Sequence, residues 1–277
     1  MTPTTEPVLT VAHRVSLGTL AVWGDCVVSR FTGNLMIALR ERTMGMAIVG
    51  EGEDLKRIRH KTKLMQTRVR AVGPDGSWWV TVPDEPQLLY RCDPGTGAVM
   101  GQIRFAGRFD PDTRLAVRIL SDGDVMLAGC GVPGLQRLRP DGSLVLDYYT
   151  LNEAHQKEFA WRGVVALAVD EATGRVALAD RYMTGCVLVV EPVAGQVARV
   201  RGLAEPSHVE WLADGTLLVL EMGGPRIAQW TVDGQCLGRW RLPVTPWHWL
   251  SGDQFAIHEG MWWWVGQRAV EGCVAGV

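Results

Sequence analysis

The chain has few of the features that mark metal sites, exported proteins or membrane anchors. Its 277 residues contain six cysteines, none of them in a Cys-x-x-Cys pair or at zinc-ribbon spacing. No basic segment followed by a long apolar run opens the sequence, so we expect neither a secretory signal nor a membrane span. Dispersed cysteines without an export signal predict a cytoplasmic protein with reduced thiols.

An excess of charge of one sign is also missing. The chain has 28 Lys and Arg residues against 30 Asp and Glu residues, a formal net charge of -2. The one dense basic run, Leu55–Lys63, lacks aromatic residues and follows the acidic residues Glu51, Glu53 and Asp54. We interpret this run as part of a solvated loop and expect no nucleic-acid partner, because no broad basic surface accompanies it.

Motifs of well-known hydrolases and nucleotide-binding proteins are absent too. The sequence contains no His-Glu-x-x-His, no Gly-x-Ser-x-Gly and no Gly-rich loop before a helix. Cys130 lies in a Gly-rich segment, but a nucleophilic cysteine needs a neighbouring base, and the sequence places none there.

What the chain does have is a repeat of short apolar strands separated by Gly-containing turns. The clearest copy contains the strands Val164–Val169, Arg175–Asp180, Cys186–Glu191 and Gln196–Arg201. β-branched residues fill the strands, and Asp-Gly or similar pairs fill the turns, as in antiparallel hairpins. Copies recur at intervals typical of propeller blades.

Six copies predict an all-β protein, a six-bladed β-propeller of four-stranded antiparallel blades in a single domain spanning 1–277. The last blade lacks a fourth strand, which either Val8–Val15 or Ala269–Val277 supplies, and an N-terminal strand would close the ring. The predicted blades are 16–50, 68–104, 115–149, 163–201, 207–242, and 247–277 with 8–15.

The copy at Val164–Arg201 resembles the NHL repeat, in which an apolar strand ends in Val-Asp and the next strand ends in Ala-Asp. Ser207–Arg241 and Arg68–Ile103 are similar to it to a lesser degree. This resemblance implies a six-bladed fold that occurs both in enzymes, such as the gluconolactonase type, and in modules that only bind partners. It implies no particular function.

The repeat also assigns residues to two faces of the ring. One face, called the turn face, carries short turns such as Ala213–Gly215 and Val232–Gly234. The opposite face, called the loop face, carries the long segments Gly50–Thr67, Arg104–Arg114 and Thr150–Arg162. Propellers usually act where long loops surround the central channel, so we expect the loop face to be functional.

Strand ends and loops predicted to lie on the loop face contain five of the six histidines and several carboxylates. The candidate catalytic residues are His208, Glu221 and His258, which are also the candidate metal ligands. The candidate ligand-binding residues are Arg30, Asp180, Trp161, His248 and Glu259.

Three hypotheses fit this set. A divalent metal ion held by some of His208, Glu221, His258, Glu259 and Asp180 would polarise a substrate oxygen. Without a metal, a His and carboxylate pair would perform acid-base catalysis in a hydrolase or lyase. Alternatively, these side chains satisfy backbone groups and channel water, and have no catalytic role. No cofactor is assigned beyond this metal alternative.

Two enzyme families offer a comparison. The segment Ala256–Gly260 and the pair His208 and Glu210 resemble the His/Glu site of the virginiamycin-lyase type, although that family has seven blades. The gluconolactonase type uses two Asn residues as metal ligands, whereas Asn34 and Asn152 fall at no suitable strand end. The leading hypothesis is therefore a module that binds a peptide, small molecule or protein subunit on its loop face, with a propeller hydrolase or lyase as the alternative.

The chain contains twelve tryptophans, including the doublet Trp78-Trp79 and the triplet Trp262-Trp263-Trp264. Side chains alternate between the two faces of a strand, so adjacent tryptophans point in opposite directions. Both directions are buried when a blade lies between two other blades. We therefore predict that these residues fill the spaces between blades.

Overall fold

A computed structural model shows that β-strands and turns make up the described chain. It describes residues 7, 13–16, 22–31, 35–39, 45–49, 55–59, 68–82, 85, 87–105, 115–129, 134–147, 163–181, 184–193, 196–243, 255–258, 261–265 and 269–274. No helix in these residues is long and apolar enough to cross a membrane.

Twenty-four strands follow one another in the described residues. The first twelve are β1 (His13–Ser16), β2 (Val22–Val28), β3 (Leu35–Leu39), β4 (Gly45–Val49), β5 (Leu55–Arg59), β6 (Arg68–Val72), β7 (Trp78–Thr81), β8 (Leu88–Cys92), β9 (Val99–Arg104), β10 (Leu115–Ile119), β11 (Val125–Gly129) and β12 (Leu135–Leu138). The others are β13 (Leu144–Asp147), β14 (Val164–Asp170), β15 (Arg175–Asp180), β16 (Cys186–Glu191), β17 (Gln196–Val200), β18 (Pro206–Trp211), β19 (Leu217–Glu221), β20 (Arg226–Trp230), β21 (Cys236–Arg241), β22 (Phe255–His258), β23 (Met261–Val265) and β24 (Ala269–Val274).

In the described part of the chain these strands form six antiparallel four-stranded sheets, as predicted. Five sheets use consecutive strands: β2 to β5, β6 to β9, β10 to β13, β14 to β17 and β18 to β21. The innermost strands of neighbouring sheets contact one another, and β22 contacts both β18 and β2. The six sheets therefore follow one another around a closed ring, with β2, β6, β10, β14, β18 and β22 lining its centre.

The second to fifth sheets agree with the prediction to within one or two residues at each strand end. Their turns have the expected backbone geometry, because Gly123 and Gly215 have φ angles of 88° and 80°. A residue with a Cβ atom is strained at such angles, which explains why the Asp-Gly turns repeat so regularly.

The repeat predicts Gly18–Trp23 and Cys26–Arg30 as the first two strands of the first sheet, separated by a turn, and this part of the prediction was wrong. The pair Gly24-Asp25, predicted to be a turn, lies inside β2, where the pairing register shifts between Val22 and Cys26. The predicted strands Asn34–Leu39 and Met46–Val49 agree with β3 and β4 but are second and third in the sheet rather than third and fourth. The basic run contributes the outermost strand β5 rather than a loop.

The last sheet also differs from the prediction. Its strands lie in the order β1, β24, β23 and β22, so the N-terminal and C-terminal segments both belong to it. The two alternatives for a missing fourth strand are therefore both used. Trp247–Leu250, predicted from the repeat to be the first strand of this sheet, lies outside the described residues. The pairing of β1 with β24, His13 opposite Gly272, confirms that an N-terminal strand closes the ring.

Apolar side chains are buried between neighbouring sheets. Trp79 packs with Leu115 and Leu127 between the second and third sheets, whereas Trp78 packs with Val69 and Val80 in a separate cluster. The two tryptophans are thus buried on opposite faces of their sheet, as predicted. Trp262 of the triplet packs against the fifth sheet, with its ring centroid 5.2 Å from that of Trp240.

Candidate functional site

His208 lies near the loop-face end of the innermost strand β18. Its side chain is buried, and Nδ1 lies 3.2 Å from the hydroxyl oxygen of Ser207. That hydroxyl donates a hydrogen bond to the carbonyl oxygen of Leu220 at 3.2 Å. The sheet register shifts between Pro206 and His208, so an irregularity in β18 positions this histidine.

Glu221 ends the adjacent strand β19 and has no solvent exposure. Its Oε2 atom accepts hydrogen bonds from the backbone N–H of Ala204 at 2.9 Å and from Nε and Nη2 of Arg226 at 2.9 and 2.7 Å. Oε1 has no hydrogen-bond partner among the described residues. The carboxylate therefore joins the crossing between two sheets to β20.

Asp180 occupies the corresponding strand end in the fourth sheet and is also buried. It accepts a hydrogen bond from the Thr184 hydroxyl at 2.6 Å. The next residue, Arg181, forms a 2.7 Å ion pair with Glu205. Glu205 has a φ angle of 54°, the only positive value of a non-glycine residue in the described ranges. The loop-face crossing before β18 is therefore held in a strained conformation.

Arg30 and His258 do not lie on the loop face, and that prediction was wrong for both. Arg30 follows β2 and His258 ends β22, and both strands are innermost strands that end at the turn face. A strand rises about 3.3 Å per residue, so the two ends of the channel are on the order of 10 Å apart. His208 and Glu221 therefore lie at the end of the channel opposite His258.

The remaining predicted site residues, Trp161, His248 and Glu259, lie outside the described residues. The roles assigned to His208, Glu221, His258, Arg30 and Asp180 stay predictions. The structure places these residues at two levels of the channel rather than in one cluster.

A buried ion pair joins two innermost strands that are not neighbours in the ring, and it was not predicted. Arg118 of β10 and Glu210 of β18 form two parallel hydrogen bonds, Nη1 to Oε1 and Nη2 to Oε2, both 2.6 Å long. Their side chains are 4% and 8% exposed. β14, the innermost strand of the intervening fourth sheet, contributes no atom to these two hydrogen bonds. The pair therefore spans the channel from the third sheet to the fifth.

Arg30 continues this charged network at the turn face. Its Nη2 atom donates hydrogen bonds to the carbonyl oxygen of Ile119 at 2.8 Å and to Glu171 at 2.5 Å. Burial lowers the pKa of the Arg30 guanidinium, nearby Arg118 lowers it further, and Glu210 and Glu171 raise it. These charges are thus close enough to influence one another, and Arg30 lies near the buried pair.

The Glu171 carboxylate is stabilised in its charged form. Burial raises the pKa of Glu171, but hydrogen bonds from Ser121 and Arg30 outweigh burial and hold it below its ordinary value of 4.5. A depressed pKa contributes stability that is present above 4.5 and is lost as the pH falls through the folded-state pKa.

The pH dependence of this contribution can be measured with a Glu171→Gln variant. We expect the variant to be less stable than the wild type at pH 7 by up to about 1 kcal/mol, because the pair is partly exposed. The difference should shrink as urea unfolding is repeated from pH 5 down to about pH 3. Asp233→Asn, at an exposed turn of the fifth sheet, is the control. A difference that stays constant over this range would contradict the assignment.

A divalent cation needs several donor side chains that converge on one point. The predicted ligands His208 and Glu221 lie at the loop-face end of the channel. The Glu221 carboxylate already forms a 2.7 Å ion pair with Arg226. The residues that the structure describes contain no group of three His, Cys, Asp or Glu side chains arranged to hold a metal. The described residues do not fit a metal centre at the predicted position.

Comparisons with known proteins identify the architecture. No family model and no curated protein matches the sequence. Among solved structures, virginiamycin B lyase from Staphylococcus aureus is similar at a TM-score of 0.58 and 11% identity, over 96% of this chain and 88% of that one. A gluconolactonase from Xanthomonas campestris is similar at a TM-score of 0.61 and 15% identity, over 96% and 94%.

A chain of the mitotic checkpoint complex gives a TM-score of 0.64 at 10% identity, over 100% of this chain and 95% of that one. Together with the ring of four-stranded sheets, these similarities decide the fold. The chain is a β-propeller. Because the similar propellers include a lyase, a lactonase and a member of a protein complex, the shared fold does not select one activity.

Proposed function

We propose that this propeller is a binding module that recognises a protein or peptide on its loop face, rather than an enzyme acting in its channel. The observation that carries the proposal is the Arg118–Glu210 pair, which occupies the channel between the third and fifth sheets. These hydrogen-bonded side chains take up channel space that a substrate at that level would need. Binding at the surface of the ring does not require that space.

The contacts of Glu221 support the same proposal. A catalytic carboxylate must reach substrate, but this one is fully buried and bound to Arg226 and Ala204. The hydrolase or lyase alternative draws on fold neighbours that share 11% and 15% identity with the chain. A fold shared at such low sequence identity does not imply a shared catalytic activity.

The loop face also presents charge suited to an acidic partner. Arg104 and Arg241 end the outermost strands of the second and fifth sheets, and Arg201 directly follows that of the fourth; all three are exposed. Exposed arginines at a rim attract carboxylate-bearing segments and bind them in a two-pronged geometry. We propose an acidic protein or peptide as the partner.

A cytoplasmic location is part of this proposal. Cys92 and Cys186 are buried free thiols, which suit a reducing compartment. Burial raises the pKa of the Cys92 thiol to about 11, so this thiol is protonated and unreactive at neutral pH.

Affinity capture with three forms of the full chain tests the proposal. The wild type and the turn-face control Asp233→Lys should retain the same partner from a lysate of the native host. The Arg104→Glu/Arg201→Glu double variant should lose it by at least about tenfold, because two attractive charges become repulsive. Equal capture by all three forms, or no partner enriched by the wild type, would overturn the proposal.

A further inference from the structure

A cleft opens on the turn face between the third and fourth sheets. Its volume is about 480 Å³, within the range of sites that accept peptide side chains or small ligands. Leu120, Met126 and Val176 form an apolar floor, and each is less than 5% exposed. The cleft lies at the opposite end of the ring from the loop face, so it is separate from the recognition surface proposed above.

Val193 stands at the edge of this cleft, next to Pro192, and is 96% exposed. Exposed single apolar residues are common, but this one borders a concave apolar surface. A side chain that entered the cleft would cover Val193 and the apolar floor together. The cleft thus offers a continuous apolar contact to an incoming group.

Most charged groups around the cleft are already paired. Arg137 binds Asp122 at 2.6 Å and Asp124 at 2.7 Å, and Glu171 binds Arg30 at 2.5 Å. The exception is Glu191, which ends β16 and lines the cleft. Within the part of the chain that the structure describes, no hydrogen bond or ion pair involves its side chain. The charge left for a ligand at this apolar cleft is therefore negative.

We propose that the cleft binds an extended segment of a partner protein that presents an apolar side chain next to a lysine or arginine. The apolar side chain packs on Leu120, Met126 and Val193, and the cation pairs with Glu191. Charge complementarity selects this occupant, because an acidic segment would meet the unpaired carboxylate and an uncharged one would leave it without a partner. The propeller then has two recognition surfaces of opposite charge preference.

Selection from a random peptide library displayed on phage tests this inference, because it needs no partner to be chosen in advance. The full-length wild-type protein is the bait, and fluorescence anisotropy measures the affinity of the enriched peptides. We expect enriched sequences with Lys or Arg beside apolar residues. Glu191→Lys and Val193→Asp should each weaken their binding by about tenfold or more. The matched control is Asp233→Lys, an equivalent charge reversal at an exposed turn without this cleft, and it should change affinity less than about twofold.

Three results would overturn the inference: no enrichment, enriched peptides that lack a cation, or affinities that the two cleft variants leave unchanged. Self-association of the wild type that Glu191→Lys abolishes would instead identify a second copy as the occupant. Binding that the loop-face variant Arg104→Glu/Arg201→Glu removes, but the cleft variants do not, would assign the peptides to the loop face. The two proposals can therefore fail separately.

Discussion

Replacing Glu210 with glutamine is expected to destabilise the propeller by about 3–5 kcal/mol. The carboxylate holds the Arg118 guanidinium through two hydrogen bonds in a buried position, and its charge also acts on Arg30. Without that negative charge, the buried Arg118 and the partly buried Arg30 repel each other where solvent screening is weak. The loss should therefore exceed that of an ordinary hydrogen bond, about 1 kcal/mol.

Replacing Arg118, the other member of the pair, should destabilise the propeller less. Arg118→Met removes one positive charge and leaves Glu210 near Arg30, so a buried carboxylate keeps an attractive neighbour. We expect Arg118→Met to cost at least about 1 kcal/mol less than Glu210→Gln, and the double variant Arg118→Met/Glu210→Leu to recover much of the loss. Urea unfolding followed by tryptophan fluorescence measures all three. Equal losses for the two single variants would contradict the charge arrangement.

Replacing Trp79 with alanine is expected to cost about 3–5 kcal/mol, because it empties the space between the second and third sheets. Trp79 is 2% exposed and packs with Leu115 and Leu127 of the neighbouring sheet. Trp78→Ala should cost a similar amount on the other face of the same strand. Because the two rings belong to different clusters, the losses should be nearly additive in the double variant.

Thermal and urea unfolding of the three tryptophan variants measures these losses. Leu144→Ala is the control, since Leu144 is 54% exposed on an outermost strand and its truncation should change stability by no more than about 0.5 kcal/mol. A loss of stability for Trp79→Ala as small as that of Leu144→Ala would contradict the packing of Trp79 between the second and third sheets.

The fold was predictable from sequence wherever turn chemistry was unambiguous. In the second to fifth sheets, turn glycines such as Gly123 and Gly215 mark hairpins whose geometry few other residues tolerate. The prediction failed at the start of the first sheet because Gly24-Asp25 has the composition of a turn but lies within an irregular part of strand β2. A local pattern cannot distinguish these two uses of glycine, since both exploit its conformational freedom.

The site was less predictable than the fold. Arg30 and His258 were predicted to end second strands, but they follow or end the innermost strands β2 and β22. Because neighbouring antiparallel strands run in opposite directions, both residues lie on the face opposite to the predicted one. The Arg118–Glu210 pair was missed for another reason: it joins sheets that are not neighbours in the ring. Its sequence signal is a charged residue flanked by apolar residues within each of two innermost strands, Arg118 in Leu115–Ile119 and Glu210 in Pro206–Trp211.

A crystal structure of the full chain tests most directly whether the Arg118–Glu210 pair occupies the channel. We predict density for a bidentate Arg118–Glu210 pair between the third and fifth sheets, with His208 and His258 at opposite ends of the channel. A water-filled channel in which His208, Glu221 and His258 converge within about 4 Å would contradict this account and favour a catalytic site.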